Sequence, residues 1–125
     1  MSEENPTFVR VARLSDVLHG RGRSVRAGLR EIALLNGAGR IHAVDGACPH
    51  MRGPLADGRI SGAVVACPWH GWKFDVVTGA CLDLAHPWAR LRVHRVRVEG
   101  EEILVAPVVP ERKPRPVGDR PVLEF

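Results

Sequence analysis

The sequence is poor in cysteine, in aromatic residues and in long apolar runs. It contains three cysteines, no tyrosine and 5% aromatic residues. An odd number of cysteines argues against a disulfide framework. The apolar runs, such as residues 63–67, are a few residues long, whereas a membrane-spanning helix needs about 20. The acidic, polar start at residues 1–6 lacks the basic and apolar segments of a signal peptide. We therefore expect a soluble, cytoplasmic protein without a membrane segment.

The charge pattern also excludes several classes of ligand. The formal net charge is +4, and arginines alternate with apolar residues at 91–93 and 96–98, as in strands with one solvated face. No basic cluster is interleaved with aromatic residues, so nucleic-acid binding is not expected. The glycines at 20 and 22 lack the third glycine and the strand–turn–helix context of a dinucleotide site, so no direct NAD(P)H binding is expected. The basic charge is compatible with an acidic protein partner.

Most of the chain is predicted to form short strands. The predicted strands are residues 7–12, 31–35, 40–44, 63–66, 91–98 and 102–106, with one helical turn at 14–18. Residues 36–39, Asn-Gly-Ala-Gly, are a strong hairpin signal. A slip in the apolar alternation of strand 91–98 predicts a β-bulge near His94 and Arg95.

The composition changes between residues 44 and 88, where glycine and proline are frequent and all cysteines and tryptophans lie. This stretch is predicted to be a loop-rich insertion on a β scaffold. Residues 107–125 contain five prolines, which predicts an extended or disordered tail. The predicted organisation is one domain over residues 1–106, with the insertion at about 45–88, followed by the tail at 107–125.

Two short segments of the insertion each combine a cysteine with a histidine. One residue separates Cys48 from His50, sixteen residues follow, and two residues separate Cys67 from His70. Thiolates suit iron–sulfur clusters or zinc, and imidazole also suits iron. A lone cysteine or histidine is more often a buried thiol or a core histidine, but four such residues in two similar loops favour a metal centre. In a Rieske 2Fe–2S centre, two cysteines hold one iron and two histidines hold the other.

A Cys2His2 zinc site is the alternative for the same four residues. Zinc sites usually place two to four residues between paired ligands, whereas a single residue separates Cys48 from His50. A structural zinc also does not need the glycines and prolines that frame both loops. The spacing therefore favours the cluster over zinc.

Residues 46–79 resemble the signature of the Rieske family in both halves, Cys48-Pro49-His50 and Cys67-Pro68-Trp69-His70-Gly71-Trp72. The resemblance extends over about residues 7–106. It implies an all-β fold, a β-sandwich or small barrel with an inserted, loop-rich cluster-binding subdomain. It also implies that Cys48 and Cys67 bind the inner iron and that His50 and His70 bind the outer, partly exposed iron. The residues expected around these ligands are Met51, Gly53, Trp69, Gly71 and Trp72.

The resemblance also separates two branches of the family. High-potential Rieske proteins have a disulfide between the two loops, at the positions of Gly53 and Trp69 here. They also direct a serine and a tyrosine hydroxyl at the cluster, where this chain has Trp72 and Phe74. Without these donors the reduced cluster is stabilised less, so we expect a midpoint near the low end of the Rieske range, about −150 mV.

The chain resembles the ferredoxin component of multicomponent ring-hydroxylating oxygenases. That resemblance implies a one-electron carrier, with a flavin reductase and a terminal oxygenase as partners, and no catalysis of its own. The alternative is the Rieske small subunit of an NAD(P)H-dependent nitrite reductase, where some members lack the ligands that this chain retains. A catalytic oxygenase would need a second iron site with two histidines and a carboxylate. The other histidines, His19, His42, His86 and His94, do not show that spacing. Cys81 is predicted to be a buried apolar residue. Arg52, Arg59 and Lys73 are candidates for partner docking around the histidine edge, with solvated surface charge as the alternative.

Overall fold

The computed structural model describes residues 7–49, 52–69, 71–83 and 88–108. These residues form nine strands and two short 3-10 helices, Leu14–Asp16 and Leu55–Asp57, and no α-helix. The strands are β1 (Val9–Arg13), β2 (Gly22–Ala27), β3 (Arg30–Gly37), β4 (Arg40–Asp45), β5 (Arg59–Ser61), β6 (Val64–Ala66), β7 (Lys73–Asp75), β8 (Val93–Glu99) and β9 (Glu102–Ala106). The all-β prediction is confirmed. No helix in the described ranges has the length and apolar content needed to cross a bilayer.

The strands form two antiparallel sheets. The larger sheet has the order β1-β9-β8-β4-β3-β2, and its edge strands β1 and β2 contact each other. The sheet therefore curls towards a closed barrel, which protects its edges. The smaller sheet has the order β5-β6-β7 and carries the second cysteine loop at the connection from β6 to β7. Strands β2, β5 and β7 were not among the predicted strands.

The hairpin between β3 and β4 forms where the Asn-Gly-Ala-Gly sequence predicts it. Its register runs from Gly37 opposite Arg40 to Ile32 opposite Asp45. The two turn residues, Ala38 and Gly39, have φ of +54° and +76°. A two-residue hairpin turn with positive φ at both positions matches the right-handed twist of the strands. The hairpin delivers Asp45 to the start of the first cysteine loop.

Strand β3 is buried on both faces because each face packs into a different core. Ala33 and Leu35 belong to the core that also contains both loop cysteines, and we call this the metal-side core. Ile32 and Leu34 belong to a second core inside the barrel, which we call the barrel core. Two covered faces explain why the sequence of this strand reads as a continuous apolar run.

The bulge predicted near His94 and Arg95 is wrong. The pairing of β8 with β9 has no register shift from Arg95 to Glu99, and a shift lies in β1 instead. The apolar phase slips because β8 contributes to both cores. Val93 packs against the metal-side core, whereas Val96 packs against the barrel core.

The smaller sheet and the 3-10 helix before it approach the larger sheet closely at glycines. A Cβ on Gly22 would lie 2.5 Å from the Ala56 carbonyl oxygen, and one on Gly37 would collide with the Gly62 carbonyl. Only glycine permits this backbone approach. At these two positions, the smaller sheet and the 3-10 helix pack directly against the backbone of the larger sheet.

Candidate metal centre

Loop 1, residues 46–53, presents Cys48 from a closed backbone turn. The Cys48 N–H donates to the Gly53 carbonyl at 2.9 Å, and the Arg52 N–H donates to the Cys48 carbonyl at 2.7 Å. The base of the loop is closed by the Leu55 N–H, which donates to the Gly46 carbonyl at 3.0 Å. The Cys48 side chain is fully buried. The thiol is therefore fixed by backbone hydrogen bonds on both sides of its own residue.

Loop 2, residues 67–72, repeats this arrangement. The Cys67 N–H donates to the Trp72 carbonyl at 2.8 Å, and the Gly71 N–H donates to the Cys67 carbonyl at 2.9 Å. The fourth residue after each cysteine has positive φ, +62° at Arg52 and +76° at Gly71. The described parts of the two loops thus share the same backbone hydrogen bonds around their cysteines.

Loop 1 and loop 2 touch at Gly53. A Cβ on Gly53 would lie 2.7 Å from the Cys67 Sγ and 3.2 Å from Cδ2 of the Trp69 indole. The sulfur of loop 2 therefore lies against the backbone of loop 1, and the Trp69 ring covers the same glycine. The positions at which high-potential relatives of the family have their bridge are adjacent here, but they hold a glycine and a tryptophan.

The surroundings of both thiols are apolar. Cys48 and Cys67 belong to the metal-side core, together with Leu55, Val65, Phe74 and Leu91 among others. None of the three cysteines is disulfide-bonded. Cys81 packs at the edge of this core and is half-buried rather than fully buried as predicted. The Trp72 indole also packs against the core, and Trp88 meets it edge-on with ring centroids 5.8 Å apart.

The predicted histidine ligands, His50 and His70, lie outside the described residues, as do Met51 and His86. The nearest described residues on each side of these histidines are exposed: Pro49 and Arg52 in loop 1, Trp69 and Gly71 in loop 2. Each loop thus runs from a buried cysteine to the protein surface. The structure brings together Cys48, Cys67, Gly53 and Trp69, with Gly71 and Trp72 completing loop 2.

A buried histidine next to loop 1 was not predicted to have a role. The His94 side chain is 0% exposed, and its Nε2 lies 2.9 Å from Asp45 Oδ1. The Val108 N–H donates to His94 Nδ1 at 2.9 Å. Because Nδ1 accepts this bond, Nε2 carries the hydrogen and donates to Asp45. The network ties the start of loop 1 to the segment that follows β9.

Asp45 is ionised more readily than an ordinary aspartate. Burial raises the pKa of Asp45, but the hydrogen bonds from the His94 side chain and the Arg92 backbone, together with the positive charge of the Arg92 guanidinium, outweigh burial and lower it. The Arg92 N–H lies 3.2 Å from Asp45 Oδ2. A single aspartate and a single histidine 49 positions apart give no sequence signal, so only the fold reveals this pair.

The described side of the site fits a 2Fe–2S group. Two thiols with no disulfide lie in matched loops within an apolar core, and Gly53 leaves space that a side chain would fill. Thiolates in such surroundings are the ligands that iron–sulfur clusters require. Among the described residues, no three histidine, cysteine or acidic side chains converge on one point.

Known proteins have sequences and folds similar to those of this chain. The family profile of the Rieske [2Fe-2S] domain matches residues 7–94. The ferredoxin component of the naphthalene 1,2-dioxygenase system of Pseudomonas putida is 31% identical over 98 residues, which cover 78% of this chain and 93% of that protein. Other curated relatives are longer, and the chain spans only 21%, 16% and 16% of the length of three of them.

Solved structures show the same fold. The ferredoxin of carbazole 1,9a-dioxygenase from Nocardioides aromaticivorans IC177 superposes with a TM-score of 0.74 at 32% identity, covering 82% of this chain and 99% of that chain. A structure from Mycobacterium tuberculosis, assigned to an NADH-dependent nitrite reductase small subunit, has a TM-score of 0.75 at 24% identity, covering 83% and 97%. The latter likeness concerns the fold alone. With its matched loops and buried thiols, the chain belongs to the Rieske [2Fe–2S] family, and its cofactor is a Rieske-type 2Fe–2S cluster.

Proposed function

We propose that Cys48 and Cys67 bind the inner iron of the cluster and that His50 and His70 bind the outer iron. The burial of both thiols in the metal-side core supports the first assignment. The exposure of the nearest described residues in each loop, Pro49 and Arg52 in loop 1 and Trp69 and Gly71 in loop 2, supports the second. The thiolate pair needs two further ligands, and the sequence offers a histidine in each loop.

We further propose that the protein is a one-electron carrier between a flavin reductase and a terminal oxygenase. The bound cluster would supply reversible one-electron chemistry. The observation that carries this proposal is the direction of both loops, from buried cysteine to exposed flank, because an electron can then enter and leave at the protein surface. Two relatives matched over nearly their whole length, at 93% and 99%, are ferredoxins of dioxygenase systems.

The surrounding residues have separate tasks in this proposal. Gly53 lets the two loops approach, and the backbone bonds of Cys48 and Cys67 hold the thiols in place. Trp72 and Phe74 exclude water from the inner side of the site. Trp69 covers Gly53 while 55% of its surface stays exposed. None of these tasks requires the chain to bind an organic substrate.

Spectroscopy of the purified protein tests both proposals. We expect visible absorption from the cluster, and a reduced electron paramagnetic resonance spectrum whose average g value lies below that of all-cysteine clusters. His70→Ala should abolish or alter this spectrum, whereas His19→Ala, at an exposed position away from the loops, should leave it unchanged. A colourless protein with one bound zinc would overturn the cluster assignment.

Reduction experiments test the carrier role. NADH alone should leave the cluster oxidised, whereas NADH with a flavin reductase should reduce it by one electron. A terminal oxygenase should then reoxidise it. The nitrite reductase alternative has the fold likeness in its favour. It predicts instead a stable complex with a sirohaem flavoprotein and no electron delivery to an oxygenase.

A further inference from the structure

An open cleft of about 930 Å³ lies beside loop 1. Its walls come from the β2–β3 hairpin, from the end of β4 with the start of loop 1, and from both described ends of the chain, at Thr7 and Pro107. Arg52 of loop 1 lines the cleft, so the cleft reaches the loop that carries Cys48 and His50. A molecule in this cleft would contact the cluster-binding part of the protein directly.

Three arginines line the cleft, and none of them pairs with a carboxylate of the described part of the chain. Arg26 and Arg30 come from the two strands of the hairpin, and Arg52 comes from loop 1. Across the described ranges, ion pairs form at Arg10, Arg92 and Arg97, and none forms at these three residues. Three guanidinium groups facing one open space are an unsatisfied set of donors for carboxylates.

The two acidic residues of the cleft do not cancel this charge. Asp45 is held by the His94 imidazole at 2.9 Å and lies 3.8 Å from the Arg92 guanidinium. Glu31 accepts a hydrogen bond from the Ser24 hydroxyl at 3.3 Å. With Arg92 counted, four arginines stand against two carboxylates, so the cleft is basic.

An apolar side chain stands at the rim of the same cleft. Leu29 occupies the turn of the β2–β3 hairpin and is 96% exposed. Gly28, with φ of +66°, makes the turn that carries it. Exposed apolar side chains and arginines are both typical of protein–protein contacts. A small inorganic anion would make no favourable contact with a leucine.

The chain's own C-terminal segment is a poor occupant on grounds of charge. Residues 109–125 follow directly from the cleft wall, and they contain four basic and three acidic side chains. A segment with a net positive charge does not complement three arginines. Residues 1–6, which precede Thr7 in the cleft wall, carry two glutamates, fewer than the three arginines. The occupant that fits is therefore an acidic segment of another protein.

We propose that this cleft, defined by Arg26, Leu29, Arg30 and Arg52, binds a surface segment of an electron-transfer partner. That segment carries acidic side chains and an apolar patch that contacts Leu29. The inference rests on the proposed carrier function, since it names how that function's partner is recognised. Carboxylates of the partner pair with the arginines, and an apolar contact at Leu29 fixes the orientation. Charge attraction of this kind mainly accelerates encounter and weakens with salt.

The test uses the cluster-loaded full chain and a defined probe. The probe is a fluorescein-labelled peptide with four glutamates around a central leucine, and its glutamine counterpart is the neutral control. We expect fluorescence anisotropy to show binding of the acidic peptide at low ionic strength and little binding of the neutral one. The double variant R26E/R30E should weaken binding by about tenfold, and Leu29→Ser by about threefold.

Arg40→Glu is the control, because Arg40 is exposed at the opposite end of the β3–β4 hairpin and undergoes the same charge reversal as each of the two cleft arginines. It should change the affinity by less than about twofold. Unchanged affinity in R26E/R30E, or an equal loss in Arg40→Glu, would overturn the docking proposal. The cluster spectrum of each variant is recorded alongside. An intact spectrum with no docking effect rejects the cleft alone, whereas a cluster missing from the unsubstituted protein rejects the carrier function.

Discussion

Gly53 is the residue on which the contact between the two loops depends. Gly53→Ala would place a methyl group 2.7 Å from the Cys67 Sγ. Because that is closer than a carbon–sulfur contact allows, the loops must separate. We expect cluster loss to become severalfold faster, measured as the decay of visible absorbance under a chelator. Gly100→Ala, at the β8–β9 turn with φ of +63°, should cost about 1 kcal/mol of stability and leave that rate unchanged.

Phe74 and Trp72 set the expectation for the reduction potential. Phe74 is fully buried in the core that contains both cysteines, and neither side chain offers a hydroxyl. We expect a midpoint of about −150 mV in a redox titration. Phe74→Tyr should shift it upward by tens of millivolts, because a hydroxyl donor favours the more negative, reduced cluster. A wild-type midpoint well above zero would contradict the assignment to the low-potential branch.

Asp45 contributes to the free energy of unfolding by an amount that depends on pH. Its pKa is lower in the folded protein than in the unfolded chain. Its contribution is therefore fully present above the unfolded value, about 3.9, and is lost as pH falls through the folded value. We expect Asp45→Ala to lower the free energy of unfolding by about 2 kcal/mol at pH 7, and by less at a second pH below about 3.9. Denaturant titrations at both pH values measure this difference.

A control for this term is Glu101→Gln, at an exposed turn position. It should leave the unfolding free energy within about 0.5 kcal/mol of the parent at pH 7. If Asp45→Ala lowered the unfolding free energy equally at both pH values, its effect would come from lost packing rather than from the ionised carboxylate.

At the scale of the element, the β3–β4 turn is built on an unfavourable residue. Ala38 has φ of +54°, a conformation that costs an alanine about 1 kcal/mol. Asparagine tolerates it better. Ala38→Asn should therefore raise the free energy of unfolding by about 0.5–1 kcal/mol, and Ala38→Val should lower it. Urea unfolding of the three proteins checks the order, and destabilisation by asparagine would contradict the turn assignment.

The elements that sequence reasoning found differ physically from those it missed. The β3–β4 hairpin was predicted because its turn residues and its apolar strand signal the same structure. Strand β2 was missed because its sequence, Gly-Arg-Ser-Val-Arg-Ala, buries little. It is held by its ladder with β3, from Gly22–Leu35 to Ala27–Arg30. Strands β5 and β7 have three residues each, too short for any alternation, and exist by pairing with β6.

The residues of the candidate site also fall into a group that the sequence predicts and a group that it does not. The cysteines and histidines were predictable because the chemistry of the cofactor fixes their types and spacing. The roles of Gly53 and His94 were not, because each depends on a partner that is distant in sequence, Cys67 in one case and Asp45 in the other. A sequence pattern reflects interactions between residues that are close in the chain. These two contacts join residues that come together only in the folded protein.

The molecule has two separate cores, and we expect loss of the cluster to loosen one of them more than the other. The metal-side core contains Cys48 and Cys67, whereas the barrel core contains Ile32, Leu34 and Ile103 and no cysteine. We expect iron removal to increase amide hydrogen exchange in β5–β7 and in both loops. Amides of β9 should stay protected, because buried residues of that strand lie in the barrel core, which is unchanged.

Hydrogen exchange followed by mass spectrometry of the holo and apo proteins measures this pattern. The variant Cys81→Ser lies outside both loops. It should therefore retain the cluster and exchange its amide hydrogens like the holo protein. Uniform loss of protection in every strand would show that the two cores unfold as one unit. It would also contradict our proposal that residues 45–88 form a distinct cluster-binding subdomain.

The pairing of β1 with β9 has a consequence for how this domain can be used. Val9 lies opposite Val105, so the first and last strands run side by side and the described chain enters and leaves at one place. A unit whose ends meet can be inserted into a loop of a larger protein, or circularly permuted, with little disturbance of its interior. A short linker joining the two ends, with new termini at the exposed tip near Gly100, should therefore yield a permutant that still assembles its cluster.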